Sequence, residues 1–259
     1  MNLDIAELKI LTTVAINAAI KAGDFIQSSK KVDIGIAYKN TGSSLASKLV
    51  TKIDLKSQDI ILEGILPTCE DYHLGLLTEE CIDDGSRFIK DYFWCIDPLD
   101  GTLPFINSYE GYAISIALVS TEGVPFIGVV YDPVAKNLYH AIKGIAAFYN
   151  HKPWKIASGD NVCKNFEIVA SGGAVMNACW VLEKSNACFY KLPKEEEGGG
   201  CLWDYAATAC IFNEVGGWVS DIYGQPLDFN NKDSIFMNHN GVVYATSREL
   251  ARQFMKPSS

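Results

Sequence analysis

Tyr92-Phe-Trp-Cys-Ile-Asp-Pro-Leu-Asp-Gly-Thr102 is the stretch from which the rest of the chain can be read. Tyr92 to Ile96 are apolar without alternation, the pattern of a strand buried on both faces. The run stops at Asp97, and Pro98 and Gly101 predict a turn. Asp97 and Asp100 therefore stand at the mouth of a buried strand, where two carboxylates repel unless a cation lies between them. Gly101 permits a tight turn, and Thr102 adds a hydroxyl beside exposed N–H groups. Cation ligands next to an anion-binding turn are the parts that metal-assisted phosphate chemistry requires. Read alone, the same six residues also fit an Asx-type turn with two solvated carboxylates.

With 259 residues, 48% of them hydrophobic, the chain suits one large domain or two lobes around a substantial core. No apolar run reaches the ~20 residues of a membrane helix. The N-terminal Met-Asn-Leu-Asp-Ile-Ala-Glu has no basic region followed by an apolar stretch, so a soluble, unprocessed, cytoplasmic protein is expected. The eight cysteines are scattered, with several (Cys95, Cys179, Cys210) inside apolar runs. None has Cys-x-x-Cys spacing, which points to reduced thiols rather than a zinc ribbon or disulfide framework. Lys and Arg number 22 against 31 Asp and Glu, a formal net charge of −9. No basic cluster exceeds Lys30-Lys31, which argues against nucleic acid and anionic membranes as partners. An anionic ligand must then be drawn by bound metal or local backbone dipoles.

Around the central stretch, Leu8, Leu11, Ala15, Ala19, Ala22 and Ile26 mark one face of a helix over 5–26. Asn40-Thr41-Gly42-Ser43-Ser44 predicts an exposed loop. Thr51 and Asp54 fit a capping box, opening a segment with Leu55, Ile60, Ile61 and Ile65 that ends before Pro67. Leu74–Thr78 reads as a short strand ending at Glu79-Glu80. Strands at 112–120, 126–131, 138–142 and 146–149, with turns at Thr121-Glu-Gly and Asp132-Pro133, predict an antiparallel meander. The polar stretch 150–165 is the candidate boundary between an N-terminal α+β lobe (1–155) and a C-terminal α/β lobe (156–259). In the second lobe, strands at 166–170, 187–190, 218–222 and 242–246 alternate with helices at 174–183 and 204–215 and a last one capped by Ser247. Gly216-Gly217 stops the second of these helices. The Lys191–Gly200 segment, acidic then glycine-rich, reads as a flexible loop. Asp204, in the first turn of its helix, is favoured there by the macrodipole alone.

Taken together, Asp97-Pro-Leu-Asp-Gly-Thr102, Trp203-Asp-Tyr-Ala-Ala207 with Glu214-Val-Gly-Gly217, Val50-Thr-Lys-Ile-Asp54 and Glu79-Glu80 resemble the four signatures of the inositol monophosphatase superfamily, in family order. Gly128-Val-Val-Tyr-Asp-Pro133 and Gly144-Ile-Ala-Ala-Phe-Tyr-Asn150 are similar to its middle strands. The likeness runs from the first helix to the last. It implies a layered αβαβα sandwich and a lithium-sensitive, Mg²⁺-dependent phosphomonoesterase, usually a homodimer, with two or three Mg²⁺ per site. By the same resemblance Glu79, Asp97, the carbonyl of Leu99, Asp100 and Asp204 hold metal. Gly101 and Thr102 offer backbone N–H groups to the phosphate, and Thr102 bonds Asp54 and helps Glu79 activate the attacking water. Gly172, Gly173 and Glu197 fall on the substrate side, Glu197 seven residues before Asp204, where inositol-type enzymes place an acid that reads hydroxyls. Departures from the family pattern are Thr78 and Thr208 in place of glycines, and Lys48 where an acid often precedes Leu-Val-Thr, beside a loop that contributes to the third metal site.

The substrate expected from this is a small polyol monophosphate such as an inositol phosphate. The alternatives are 3′-phosphoadenosine 5′-phosphate, which needs a wider pocket, fructose bisphosphate, and a catalytically silent metal-binding homologue. An Asp-nucleophile phosphatase wants Asp-x-Asp after its first strand, and the spacing here is Asp-x-x-Asp. An EF-hand is excluded because its Asp-x-Asp-x-Asp-Gly loop is absent.

Overall fold

The computed structural model describes residues 3–29, 37–38, 49–50, 52–156 and 165–256. Two long helices form the first layer, α1 (Ile5–Ser29) and α2 (Lys52–Asp71). The predicted apolar face of α1 is buried throughout, from Leu8 to Ile26. On α2 the buried stripe is Ile53, Ile61 and Ile65, whereas Leu55 is turned outward and 47% exposed. Contrary to expectation, α2 does not end before Pro67 but runs through it to Asp71. Its last turn is docked on the sheet, because Thr68 Oγ1 accepts from Trp94 Nε1 at 2.9 Å and donates to the Ile65 carbonyl at 2.6 Å. Thr51, Lys48 and the 40–44 loop lie outside the described residues. Beside them β1 (Ala37–Tyr38) and β2 (Leu49–Val50) pair as a short antiparallel ribbon.

The second layer is a seven-stranded sheet made of β3 (Gly75–Thr78), β4 (Tyr92–Asp100), β5 (Ala113–Ser120), β6 (Pro125–Asp132), β7 (Asn137–Ile142), β8 (Ala146–Tyr149) and β9 (Lys152–Trp154), adjacent in that order. β3 and β4 are parallel, and the rest is the predicted antiparallel meander. β9 extends it by one strand into the stretch read as a boundary, while 157–164 lie outside the described residues. Successive residues of β4 feed two cores: Tyr92, Trp94 and Ile96 pack toward α1 and α2, Phe93 and Cys95 toward the opposite side. This is why the run is apolar without alternation.

The third layer holds α4 (Ala174–Leu182) and α5 (Leu202–Val215); the one-turn helix α3 (Thr102–Ile106), at the end of β4, packs Phe105 into the core on the α1 and α2 side. Helix α5 lies so close to the sheet that a Cβ on Gly128 would come within 2.2 Å of the Ala207 carbonyl. β5 meets the same helix with small side chains, Ala113 and Ala117, and Ser115 Oγ donates to the Trp203 carbonyl at 3.0 Å. The helix ends at Gly216, which adopts the left-handed conformation at φ 91°. A smaller mixed sheet follows, ordered β10 (Glu167–Ile168), β11 (Ala187–Lys191), β13 (Val242–Ala245), β12 (Trp218–Ser220). Its outer face is covered by α6 (Arg248–Ala251), capped as expected by Ser247, whose Oγ accepts from Leu250 N at 3.2 Å. The stack is the αβαβα sandwich.

Candidate active site

β4 does not stop at Asp97. It continues to Asp100 through an irregularity in which Asp97 pairs with Ser115 and Asp100 with Ala113, leaving one extra residue on β4. Pro98, which has no N–H for the ladder, sits inside this bulge. Residues three apart on a regular strand point to opposite faces; the extra residue restores the parity, so both carboxylates reach the same side. Leu99 N donates to Asp97 Oδ1 at 2.9 Å, and Ser57 Oγ to the Pro98 carbonyl at 2.8 Å, which pins the bulge to α2. Asp204 arrives from the first turn of α5, held by a hydrogen bond from the Cys201 backbone N–H. Carboxylate oxygens of Asp97, Asp100 and Asp204 all lie within 4.8 Å of one another.

Two of the three, Asp97 and Asp100, are almost wholly buried. Burial, then the charges of Glu79, Asp204 and Asp100, holds Asp97 well above the usual carboxylate range. Burial followed by Asp204 does the same to Asp100, against the opposing effect of the Val175 N–H and of Lys191. Burial also raises Asp204, opposed first by the Cys201 N–H. Glu79 joins the group because its backbone N–H donates to the Ile96 carbonyl at 3.1 Å, fixing it one strand over from Asp97. An all-oxygen set of anionic donors that repel one another suits a hard divalent cation such as Mg²⁺, and soft metals poorly.

Asp100 has a second function in the fold. Its carboxylate accepts from Ala174 N at 3.2 Å and Val175 N at 2.9 Å, the first N–H groups of α4. Gly173 is required there, since a Cβ would stand 2.2 Å from Asp100 Oδ2. Gly101, at φ 83°, turns the chain from β4 into α3, and a Cβ on it would meet the Gly111 carbonyl at 2.6 Å. Thr102 Oγ1 lies 3.0 Å from Asp54 Oδ1 and 3.3 Å from the Leu99 carbonyl. Asp54, 1% exposed, thus lies beneath Thr102 from the first turn of α2.

These residues face one cavity of about 780 Å³, lined by Glu79, Asp97, Leu99, Asp100, Gly101, Thr102, Gly172, Gly173 and Asp204. Glu197 is exposed and does not line it; the wall is made instead by Gly198, Gly199 and Gly200. The segment expected to be flexible is held in place. Asn238 Nδ2 donates to the carbonyls of Lys194 and Glu196 at 3.0 and 3.1 Å, and Tyr205 Oη to that of Gly199 at 2.5 Å. All three glycines have positive φ, and a Cβ on Gly200 would collide with the Tyr205 ring. Lys191 also lines the cavity, as does Phe236, which sequence reading missed, and Thr78, which stands where the family has a glycine, has its Oγ1 buried without a partner among the described residues. The sequence offers Lys184, Lys191 and Lys194 in the stretch 184–202 as positive charge for a second phosphate, and of these three Lys191 alone lines the cavity. No histidine lines the cavity among the described residues.

Among the described residues no helix is long and apolar enough to cross a membrane, and the seven described cysteines are free thiols. The chain is 29% identical over 243 residues to the inositol-1-monophosphatase of Bacillus subtilis, covering 83% of this chain and 86% of that one. It is 27% identical to inositol monophosphatase 1 of Xenopus laevis, covering 94% and 90% respectively. Its fold superimposes on that of an inositol monophosphatase from Anabaena with a TM-score of 0.73 at 22% identity, over 96% of this chain and 98% of that one. The model of the inositol monophosphatase family matches residues 7–171 and 158–255. Nearly the whole length is thereby accounted for, and the chain belongs to the inositol monophosphatase family, a family of phosphoric monoester hydrolases.

Proposed function

We propose that the protein is a Mg²⁺-dependent phosphomonoesterase acting on a small phosphorylated metabolite, with inositol 1-phosphate as its reference substrate. The observation that carries this reading is the convergence of Asp97, Asp100 and Asp204 within 4.8 Å beside the Gly101–Thr102 turn. Glu79, Asp97, the Leu99 carbonyl, Asp100 and Asp204 would hold the metal. When bound, Mg²⁺ supplies neutralising charge to the phosphoryl oxygens and acidifies water for in-line attack. Gly101 and Thr102 receive the phosphate through backbone N–H groups. Asp54 accepts the Thr102 hydroxyl proton at 3.0 Å, which orients that oxygen's lone pairs toward the attacking water while Glu79 takes up a proton from it. No side-chain nucleophile is required, so no phosphoenzyme forms. Gly172 and Gly173 bring the backbone close enough to border the substrate, and the names of the relatives support inositol monophosphate as substrate. Inhibition by lithium, a homodimeric state, a cytoplasmic location and a division into lobes at 155/156 belong to the same reading.

The test is phosphate release from inositol 1-phosphate with Mg²⁺, lost on chelation and regained on adding the metal back. Undiminished turnover in excess chelator defeats the metal mechanism. No release from inositol 1-phosphate, 3′-phosphoadenosine 5′-phosphate or fructose 1,6-bisphosphate would favour the silent homologue.

A further inference from the structure

We infer that Lys191 is a specificity-determining residue which gives the cavity a subsite for a second anionic group, so that phosphomonoesters bearing another phosphate or carboxylate are preferred over neutral polyol monophosphates. This rests on the phosphomonoesterase reading and names its substrate class. Lys191 closes β11, where the register pairs it with Val242. Among the described residues it is the only basic side chain lining the cavity, whose other charged groups are all carboxylates. Its ammonium has no carboxylate within 4 Å among those residues, yet its charge reaches both Asp100 and Asp204. With metal on those carboxylates their charge is answered, and Lys191 is left as a half-buried cation facing the cavity.

The surroundings of Lys191 favour an anion in the same space. The acidic run Glu195–Glu197 is exposed and outside the lining, so it does not answer the lysine's charge. Gly198 to Gly200 follow it into the wall without side chains, leaving room for a substrate group. Asn238 and Tyr205 fix that wall, so the room persists rather than collapsing onto the lysine. A charge-assisted hydrogen bond in a part-buried site discriminates strongly between a ligand that carries the charged partner and one that does not. In a chain of net charge −9, such a local cation also offsets the repulsion a doubly anionic ligand meets on entry.

The experiment compares matched pairs that differ by one phosphate: inositol 1-phosphate with inositol 1,4-bisphosphate, and 3′-AMP with adenosine 3′,5′-bisphosphate, all with Mg²⁺. In the wild type kcat/KM is expected to favour the bisphosphorylated member of at least one pair by about tenfold or more. Lys191→Met is expected to bring that ratio below about threefold, through KM rather than kcat, and Lys191→Arg to restore it. A lysine that merely balances the acids would instead tighten Mg²⁺ on conversion to Met and change both members alike; that outcome, or a wild-type ratio near one in both pairs, overturns the inference. Release from none of the four compounds refutes the phosphomonoesterase reading instead. Calorimetric binding of the same pairs to Mg²⁺-loaded protein carrying Asp54→Asn, with and without Lys191→Met, then still decides the subsite, and equal affinities within each pair reject it.

Discussion

Replacing Asp100 with Asn removes one charge from the carboxylate cluster at almost constant volume, and the sign of its effect on stability separates a metal site from a purely structural cap. At a separation of 4.8 Å and an effective dielectric of ~20, two ionised carboxylates repel by about 3–4 kcal/mol. Asp100 stands in two such pairs, with Asp97 and Asp204. Against this, the amide forfeits one charge-assisted hydrogen bond at the start of α4, about 1.5–3 kcal/mol, and about 0.3–1 kcal/mol of interaction with the helix dipole. Protonation relieves part of the repulsion in the metal-free protein, so a net gain of about 1–3 kcal/mol remains near pH 8, or a Tm higher by roughly 2–10 °C for a domain of this size. The pH dependence has a fixed sign. Burial raises Asp97, Asp100 and Asp204 in the folded state above the unfolded value of ~3.9, and neighbouring carboxylates add to the rise at Asp97 and Asp100. Their stability contribution is therefore complete below about pH 4 and is lost as pH rises through the raised folded values. The Tm difference between Asp100→Asn and wild type in EDTA should accordingly widen from pH 5 to pH 8. Added Mg²⁺ should stabilise the wild type strongly and the variant little. Differential scanning calorimetry with and without Mg²⁺ reads all of this. A variant that melts well below wild type in EDTA and keeps the full Mg²⁺ shift would show that Asp100 serves α4 and not a cation.

Asp54→Asn should lower phosphate release by roughly 10²–10⁴, the range of lost general acid–base assistance, with a stability change below about 1 kcal/mol because Asn serves a helix start nearly as well. Normal turnover with an altered melting curve would assign Asp54 to α2 alone. Gly173→Ala places a methyl 2.2 Å from Asp100 Oδ2 and should weaken Mg²⁺ binding, measured calorimetrically, by about tenfold or more as the carboxylate is displaced; unchanged metal affinity would contradict the placement. Gly128→Ala drives a Cβ into the Ala207 carbonyl and should cost about 1–3 kcal/mol as α5 is pushed off the sheet. Because Asp204 rides on that helix, activity should fall in the surviving folded protein, and retention of both stability and rate would refute the close contact.

The sequence by itself determined the features that depend on neighbours in the chain. The α1 face, the meander from β5 to β8, the Gly216 stop and the Ser247 cap follow from side-chain period and local backbone chemistry, which act within a few residues. Asp97, Asp100 and Asp204 were legible too, because they stand beside Pro, Gly and Trp where the apolar run breaks or a helix begins, whereas Glu79, between Thr78 and Glu80, is marked only by the strand it follows. What tertiary structure decided depends on distant partners. Only the Thr68–Trp94 contact explains why α2 outlasts Pro67, and only pairing with β5 turns the Asp97–Asp100 spacing into a bulge that aims both carboxylates one way. Asn238, 44 residues from Lys194, and Tyr205, 6 residues from Gly199, hold the glycine wall that composition alone suggests is loose. Glu197 and Lys191 show the limit most clearly. Both are charged residues near the same motif, and spacing to Asp204 favoured the glutamate. The lysine lines the cavity instead, because β11 ends at its mouth and the chain then bends outward before Gly198 brings it back. Which side chain enters a cavity is set by the path of the backbone through space, and that path is fixed by contacts that a count of residues does not contain.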